Sequence, residues 1–466
     1  MTIMAAKVSP DDIRARFSSA MSAMYRDEVP AYGTLMDLVA RVNDETLAAQ
    51  PELKARLDAT DTLERISEER HGAIRLGTAE ELATMRRIFA VMGMWPVGYY
   101  DLSTAGVPVH STAFRPVGEG ALKRNPFRVF TSLLRLDLIG DEGLRAEASA
   151  ILARRQIFTP GAVALTEKAE RDGGLSHEDA ARFVSEVLET FRWHDKANVE
   201  LSMYRRLHDA HRLIADVVSF KGPHINHLTP RTLDIDKVQS RMPAFGIAPK
   251  AVVEGPPTRK CPILLRQTSF KALEEPVAFR DGDGGWQAGT HTARFGEIEQ
   301  RGVALTPKGR ALYDKLLDDT RRLVRPAADG SNVDAYKAAL AGVFKSFPDD
   351  WATIRSRRLG YFSYSLTEKS VNGVSSISDP EVLIAEGYIC FDPIVYEDFL
   401  PVSAAGIFQS NLGDGAQQEF TASPNQKRFE VELGAEVLNE FDHYAGIEKA
   451  SLEACLAALA RQPAAE

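Results

Sequence analysis

Three stretches of the chain gather side chains that can bind a metal or an anion. In Arg70-His71-Gly72-Ala73-Ile74-Arg75, His71 and Arg75 stand four residues apart. That spacing puts both on one face of a helix or of a strand. An imidazole can ligate a metal while a guanidinium fork clamps a carboxylate. The same residues also read as a helix C-terminus, with Gly72 as terminator and the cations at the negative dipole end.

The second stretch is Gly222-Pro223-His224-Ile225-Asn226-His227-Leu228-Thr229-Pro230-Arg231. A strand starting near Ile225 places Ile225 and His227 on one face. His224 then precedes the strand, as a supporting group, a surface group or an alternative ligand. The structural alternative for His227 is a half-buried histidine satisfied by backbone. The third stretch is Arg294-Phe295-Gly296-Glu297-Ile298-Glu299-Gln300-Arg301-Gly302. Glu297 and Glu299 share one face of a strand with Phe295. Buried carboxylates need a cation or an arginine beside them; on an edge strand they would be solvated instead. Together the stretches offer two histidines and a carboxylate, the facial set of non-haem Fe(II) oxygenases, which leaves metal positions open for substrate and O2.

The elements that must position these groups follow from pattern. Residues 1–95 read as helical and lead into the first candidate ligand, starting from Ser9-Pro10-Asp11-Asp12, a cap, a first-turn proline and two acids. Residues 96–139 are strand-rich, with strands in Val97–Val117 and Phe127–Leu138. Residues 140–220 form a helical insertion, with Ser176 opening one of its helices. Residues 221–305 read as strand, short helix and three strands, over Ile225–Ile235, Ala251–Gly255, Pro262–Phe279 and Ala293–Leu305, with a turn at Asp281–Gly285. Residues 306–466 are helical with short strands. The fold class is α+β.

Composition narrows the function. The chain is 44% hydrophobic and 26% charged, with a net charge of −9, a globular balance that disfavours nucleic acid and anionic membranes as partners. An acidic substrate then needs a local cluster of arginines. Cys261, Cys390 and Cys455 are far apart, as in a reducing cytoplasm. No secretory leader is expected at the N-terminus. The longest apolar stretch, Ile88–Tyr100, is too short to span a bilayer. No phosphate loop, dinucleotide fingerprint, serine-hydrolase elbow or His-Glu-x-x-His is present.

The stretch Phe295-Gly296-Glu297-Ile298-Glu299-Gln300-Arg301 is similar to the Phe-x-Glu-Ile-x-Gln-Arg segment that carries the iron-binding glutamate of 4-hydroxyphenylpyruvate dioxygenase, and the 221–305 unit resembles a βαβββ module of the vicinal oxygen chelate superfamily. More closely, the chain resembles the 2-oxoadipate dioxygenase/decarboxylase (hydroxyglutarate synthase) family over nearly its whole length. The resemblance rests on Glu69–Arg75, His224–Arg231, the Glu297 segment and Phe399–Phe408. It implies βαβββ modules forming an incomplete barrel around the metal, with large helical additions. It implies Fe(II) held by His71, His227 and Glu297, a substrate carboxylate on Arg75, and Val402 and Ser403 lining the substrate pocket. The implied reaction converts 2-oxoadipate and O2 into D-2-hydroxyglutarate and CO2, a step of lysine breakdown. Two other readings fit the same residues: a non-oxidative metalloenzyme of the superfamily, an isomerase or lyase, and a non-catalytic binding protein on the same fold.

Overall fold

The computed structural model describes residues 6–59, 63–327, 330–369, 379–400 and 424–460. Its strands, in chain order, are β1 (Arg70–Leu76), β2 (Trp95–Asp101), β3 (Val109–Arg115), β4 (Arg128–Leu134), β5 (Lys196–Glu200), β6 (Leu228–Pro230), β7 (Leu265–Ser269), β8 (Glu275–Arg280), β9 (Trp286–His291), β10 (Glu297–Arg301), β11 (Phe362–Leu366) and β12 (Ile389–Pro393).

The first βαβββ set runs through β1, the helix Ala79–Val91, β2, β3 and β4. Its sheet has the order β2-β3-β4-β1-β6. β1 lies parallel to β4, with His71 opposite Arg128 and Arg75 opposite Ser132. β6 lies antiparallel to β1, with His71 opposite Thr229. Beyond β6, a parallel bridge joins Arg231 to Glu299 on β10, and the Thr232 N–H donates to the Glu299 carbonyl at 2.7 Å. β10 in turn pairs with β7. The strands thus form an open run, and no pairing among the described residues joins β2 back to β7. This is the α+β, incomplete-barrel arrangement expected.

Several local expectations change. Arg70 does not end a helix but begins β1, because Gly72–Leu76 is an unbroken buried stretch between two partner strands, as parallel ladders require. Gly72 is there for close approach: a Cβ would lie 2.5 Å from the Ile225 side chain and 3.1 Å from the His227 carbonyl. The 225–235 strand shrinks to Leu228–Pro230. Pro230 has no N–H for a longer ladder, and Asp234 caps the next helix by accepting from the Lys237 N–H at 3.0 Å. Ala251–Gly255 is not a strand; Gly255 takes φ +108 against the Leu265 carbonyl. β8 and β9 leave the run and form a separate sheet of order β5-β8-β9. Their Asp281–Gly285 turn is as expected, with Gly284 at φ +83. Ser9 also caps as expected, accepting from the Asp12 N–H at 3.1 Å.

The chain divides into two compact units. The larger comprises Met1–Val253, Gln267–Gln300 and Phe399–Leu438. Strand alternation there splits its core in two. Ile74, Leu76, Val129 and Leu133 pack with apolar residues of the N-terminal helices, Phe17 and Leu38 among them. Ala73, Phe130 and Leu134 pack with Ile214, Ala215 and Val218 of the helix Arg212–Ser219. Tyr25, on the helix Pro10–Glu28, places its hydroxyl between the carbonyls of Phe295 (2.7 Å) and Asn226 (3.1 Å). One buried hydroxyl therefore fixes two segments that carry candidate ligands.

The smaller unit comprises Glu254–Arg266, Arg301–Asp398 and Asn439–Glu466. In it β11 and β12 pair antiparallel, and Leu383, Ile389, Cys455 and Leu459 form a small core.

Candidate metal centre

His71 on β1, His227 just before β6 and Glu297 on β10 present ligand atoms that all lie within 4.8 Å of one another. All three side chains are fully buried. His71 Nε2 lies 3.5 Å from Glu297 Oε1, and the two imidazole rings meet edge to face at 5.4 Å between centroids. The fold explains the convergence. β1 carries His71, β6 lies against β1, and the Arg231–Glu299 bridge brings β10 alongside. The Phe295 N–H also donates to the Asn226 carbonyl, and the Asn226 N–H to the Ala73 carbonyl.

Among the described residues, His71 Nε2, both ring nitrogens of His227 and Glu297 Oε2 are buried without a hydrogen-bond partner. Buried polar atoms are seldom left so. A cation at their meeting point would satisfy them together, so the residues fit a bound metal. Two imidazoles and one carboxylate suit a divalent first-row ion with open positions. Burial holds the His227 pKa well below its ordinary value, with His71 and Arg75 adding to the effect, and a neutral imidazole is the ligating form. Burial raises the Glu297 carboxyl, partly countered by His71. For His71, burial alone would lower the pKa, but the carboxylates of Glu299 and Glu297 raise it on balance.

Around these three stands a shell whose contacts only the tertiary structure makes. Gln267 donates to Glu297 Oε1 at 2.6 Å. Glu299 Oε2 lies 3.0 Å from His71 Nδ1. Glu299 is approached by Arg128 at 3.4 Å, and Arg128 donates twice to Glu69 at 3.0 Å. Arg231 reaches the other Glu69 oxygen at 2.8 Å. The two strand acids are thus distinguished: Glu299 sits in an arginine network, while Glu297 keeps an oxygen without a hydrogen bond. Phe399 packs edge-on against His71 at 4.9 Å.

Arg75 lies on the same face of β1 as His71, buried, with Nη1 donating to Asp216 Oδ2 at 2.5 Å. His224 stays outside the first group. It belongs to a second one, Asp216, His224 and His291, whose candidate ligand atoms also lie within 4.8 Å. The signal for Asp216 was legible: a lone acid within the apolar run Leu213-Ile214-Ala215-Asp216-Val217-Val218. Val402 and Ser403 lie outside the described residues. No helix among the described residues is long and apolar enough to cross a membrane.

Residues 17–411 match the family described as 2-oxoadipate dioxygenase/decarboxylase. Curated relatives of that name include proteins of Pseudomonas putida, 61% identical over 97% of this chain and 98% of the relative, and of Escherichia coli K12, 56% identical over 97% and 99%. A solved Pseudomonas putida hydroxyglutarate synthase in complex with 2-oxoadipate superposes with a TM-score of 0.89 at 58% identity, covering 97% of this chain and 99% of that one. On this coverage the chain belongs to the 2-oxoadipate dioxygenase/decarboxylase family.

Proposed function

We propose that this chain is an Fe(II)-dependent dioxygenase and decarboxylase that converts 2-oxoadipate and O2 into D-2-hydroxyglutarate and CO2, with His71, His227 and Glu297 as the iron ligands. The reaction balances with no second oxo acid: six carbons and seven oxygens enter, and a five-carbon hydroxy diacid and CO2 leave. The observation that carries the reading is the convergence of three buried ligand groups in which His71 Nε2, both His227 nitrogens and Glu297 Oε2 have no hydrogen-bond partner. Family membership supplies the reaction class, and the 2-oxoadipate complex of the Pseudomonas putida relative supports the substrate.

When bound, Fe(II) would chelate the oxo acid and activate O2. The residues of the chain do the rest. His71 and His227 supply neutral donors and Glu297 one negative charge, leaving an open face. Glu299 faces the far nitrogen of His71 and favours its N–H form there, which leaves Nε2 for the metal. Arg75 offers a fixed positive charge to a substrate carboxylate within a net acidic chain. It shares the buried face of the strand that carries His71. Phe399 and the apolar residues around Phe130 keep water from the His71 side, where electrostatic contacts gain strength. The sparse cysteines, free among the described residues, support a cytoplasmic setting.

The test is direct. Iron-loaded protein consumes O2 and releases CO2 in step with 2-oxoadipate, and His71→Ala, His227→Ala and Glu297→Ala each abolish this. Iron retention at full rate in Glu297→Ala would contradict the ligand assignment.

A further inference from the structure

Beside the metal centre lies a second buried cluster. Asp216, on the helix Arg212–Ser219, is 5% exposed. Its Oδ2 accepts from Arg75 at 2.5 Å. Its Oδ1 lies 2.9 Å from His291 Nε2 and 3.3 Å from His224 Nε2. Behind His291, the Tyr204 hydroxyl sits 2.9 Å from Nδ1. Each of these side chains is less than a tenth exposed.

The hydrogen-bond roles can be worked out from the ends. A carboxylate accepts only, so His291 must offer Nε2–H to Asp216. His291 Nδ1 then carries the lone pair in the neutral ring, and the Tyr204 hydroxyl donates to it. The chain of donors therefore runs Tyr204, His291, Asp216, with Arg75 donating to Asp216 from the opposite side. His224 closes the remaining side: it sits at φ +20, unusual for a residue other than glycine, with Trp193 edge-on at 4.8 Å. A backbone outlier of this kind persists where the surroundings over-determine it. The Asp216 carboxylate faces the Arg75 guanidinium and His291 directly, while both ring nitrogens of His224 are buried without a hydrogen-bond partner.

We propose that Asp216 is the positioning residue of Arg75: held from behind by His291 and Tyr204 and from the side by His224, it fixes the plane of the guanidinium so that its fork meets a carboxylate of the substrate. The proposal rests on the reading that Arg75 binds that carboxylate, and deepens it. An arginine on a long stem loses rotamer freedom when it binds; a buried partner imposes that order in advance, and the gain appears in substrate affinity. Among the described residues the side-chain partners of Asp216 are Arg75, His291 and His224 and not His71, His227 or Glu297, so its removal acts on KM more than on kcat.

The experiment is steady-state kinetics of the iron-loaded protein with 2-oxoadipate, comparing wild type, Asp216→Asn, Arg75→Ala and the double variant, with metal content measured in each. In Asp216→Asn, KM rises by about tenfold or more, as for loss of a charge-assisted contact, kcat falls by less than about threefold, and iron stays at the wild-type level. On the Arg75→Ala background the Asp216→Asn effect disappears, since it acts through the guanidinium. Tyr204→Phe removes one O–H and shifts KM the same way by a smaller factor, which keeps the test open should Asp216→Asn fold poorly. An unchanged KM in Asp216→Asn and Tyr204→Phe, beside a raised KM in Arg75→Ala, overturns the proposal and leaves the carboxylate reading standing. A normal KM in Arg75→Ala removes both. A second equivalent of metal in the wild type that is lost in Asp216→Asn would make the cluster a metal site and likewise overturn it.

Discussion

Glu299 Oε2 stands 3.0 Å from Nδ1 of His71, while Glu297 Oε1 stands 3.5 Å from Nε2 of the same ring. Two acids one residue apart on a strand thus address opposite nitrogens of one imidazole. Period-2 alternation puts them on one face, and the ring between them sorts their roles. The acid tied to Arg128 orients the histidine, and the acid with an oxygen lacking a hydrogen bond remains for a metal.

Glu299→Gln should therefore weaken iron binding without removing it. The substitution keeps the size and the contact but removes the charge facing Nδ1. Loss of such an outer partner usually costs roughly 10- to 100-fold in metal affinity. Competition with a chelator of known affinity measures it. An affinity equal to wild type would show that Glu299 has no orienting role.

Gly72→Ala tests the packing that brings the ligands together. The added Cβ would press on Ile225 and on the His227 carbonyl, at 2.5 and 3.1 Å. Overpacking of this kind costs about 1–3 kcal/mol. Part of the strain falls on the backbone of His227, a proposed ligand, so iron occupancy should drop together with the melting temperature. A melting loss with full iron occupancy would place the strain elsewhere.

Arg75→Ala should retain iron and lose turnover on 2-oxoadipate through a raised KM. A 2-oxo acid without the distal carboxylate should discriminate much less between variant and wild type. Equal losses on both substrates would assign Arg75 to the shared oxo-acid end.

The ion pair with Arg75 also predicts an acid dependence. Burial would raise the Asp216 pKa, but Arg75 and His224 outweigh it and hold it well below its ordinary value. A group depressed on folding contributes stability that is fully present above its unfolded pKa of about 4 and is lost as pH falls from there through its folded value. Removing one partner of a buried pair costs about 3–5 kcal/mol. Asp216→Asn should thus melt well below wild type at neutral pH, with the gap constant down to about pH 4 and closing below it. Melting curves across acid pH check this; a gap that closes above pH 5 would point to another titrating group.

Residue types alone offered His71, His224, His227, Glu297 and Glu299 as candidates, because imidazoles and acids in apolar stretches demand a reason; the set His71, His227 and Glu297 came from the family resemblance. The Ser9 cap and the Asp281–Gly285 turn were equally local. The β1 segment was harder, since Arg70 after a helical stretch reads as that helix's end; only pairing with β4 and β6, far along the chain, makes it a strand. Glu299 and Glu297 were indistinguishable by pattern because their difference lies in Arg128 and Gln267, which reach them only through tertiary structure. Asp216 carried a signal, an acid amid apolar neighbours, but its partners Arg75, His224 and His291 lie on three other segments.

The most direct test of the account is oxygen labelling. Iron-loaded protein given 2-oxoadipate under ¹⁸O2 should yield 2-hydroxyglutarate with one labelled oxygen in the new carboxylate and one in the new hydroxyl, and Glu297→Ala should yield none. Product formed without O2 after chelation, or product free of label, would contradict an iron-dependent oxidation at His71, His227 and Glu297.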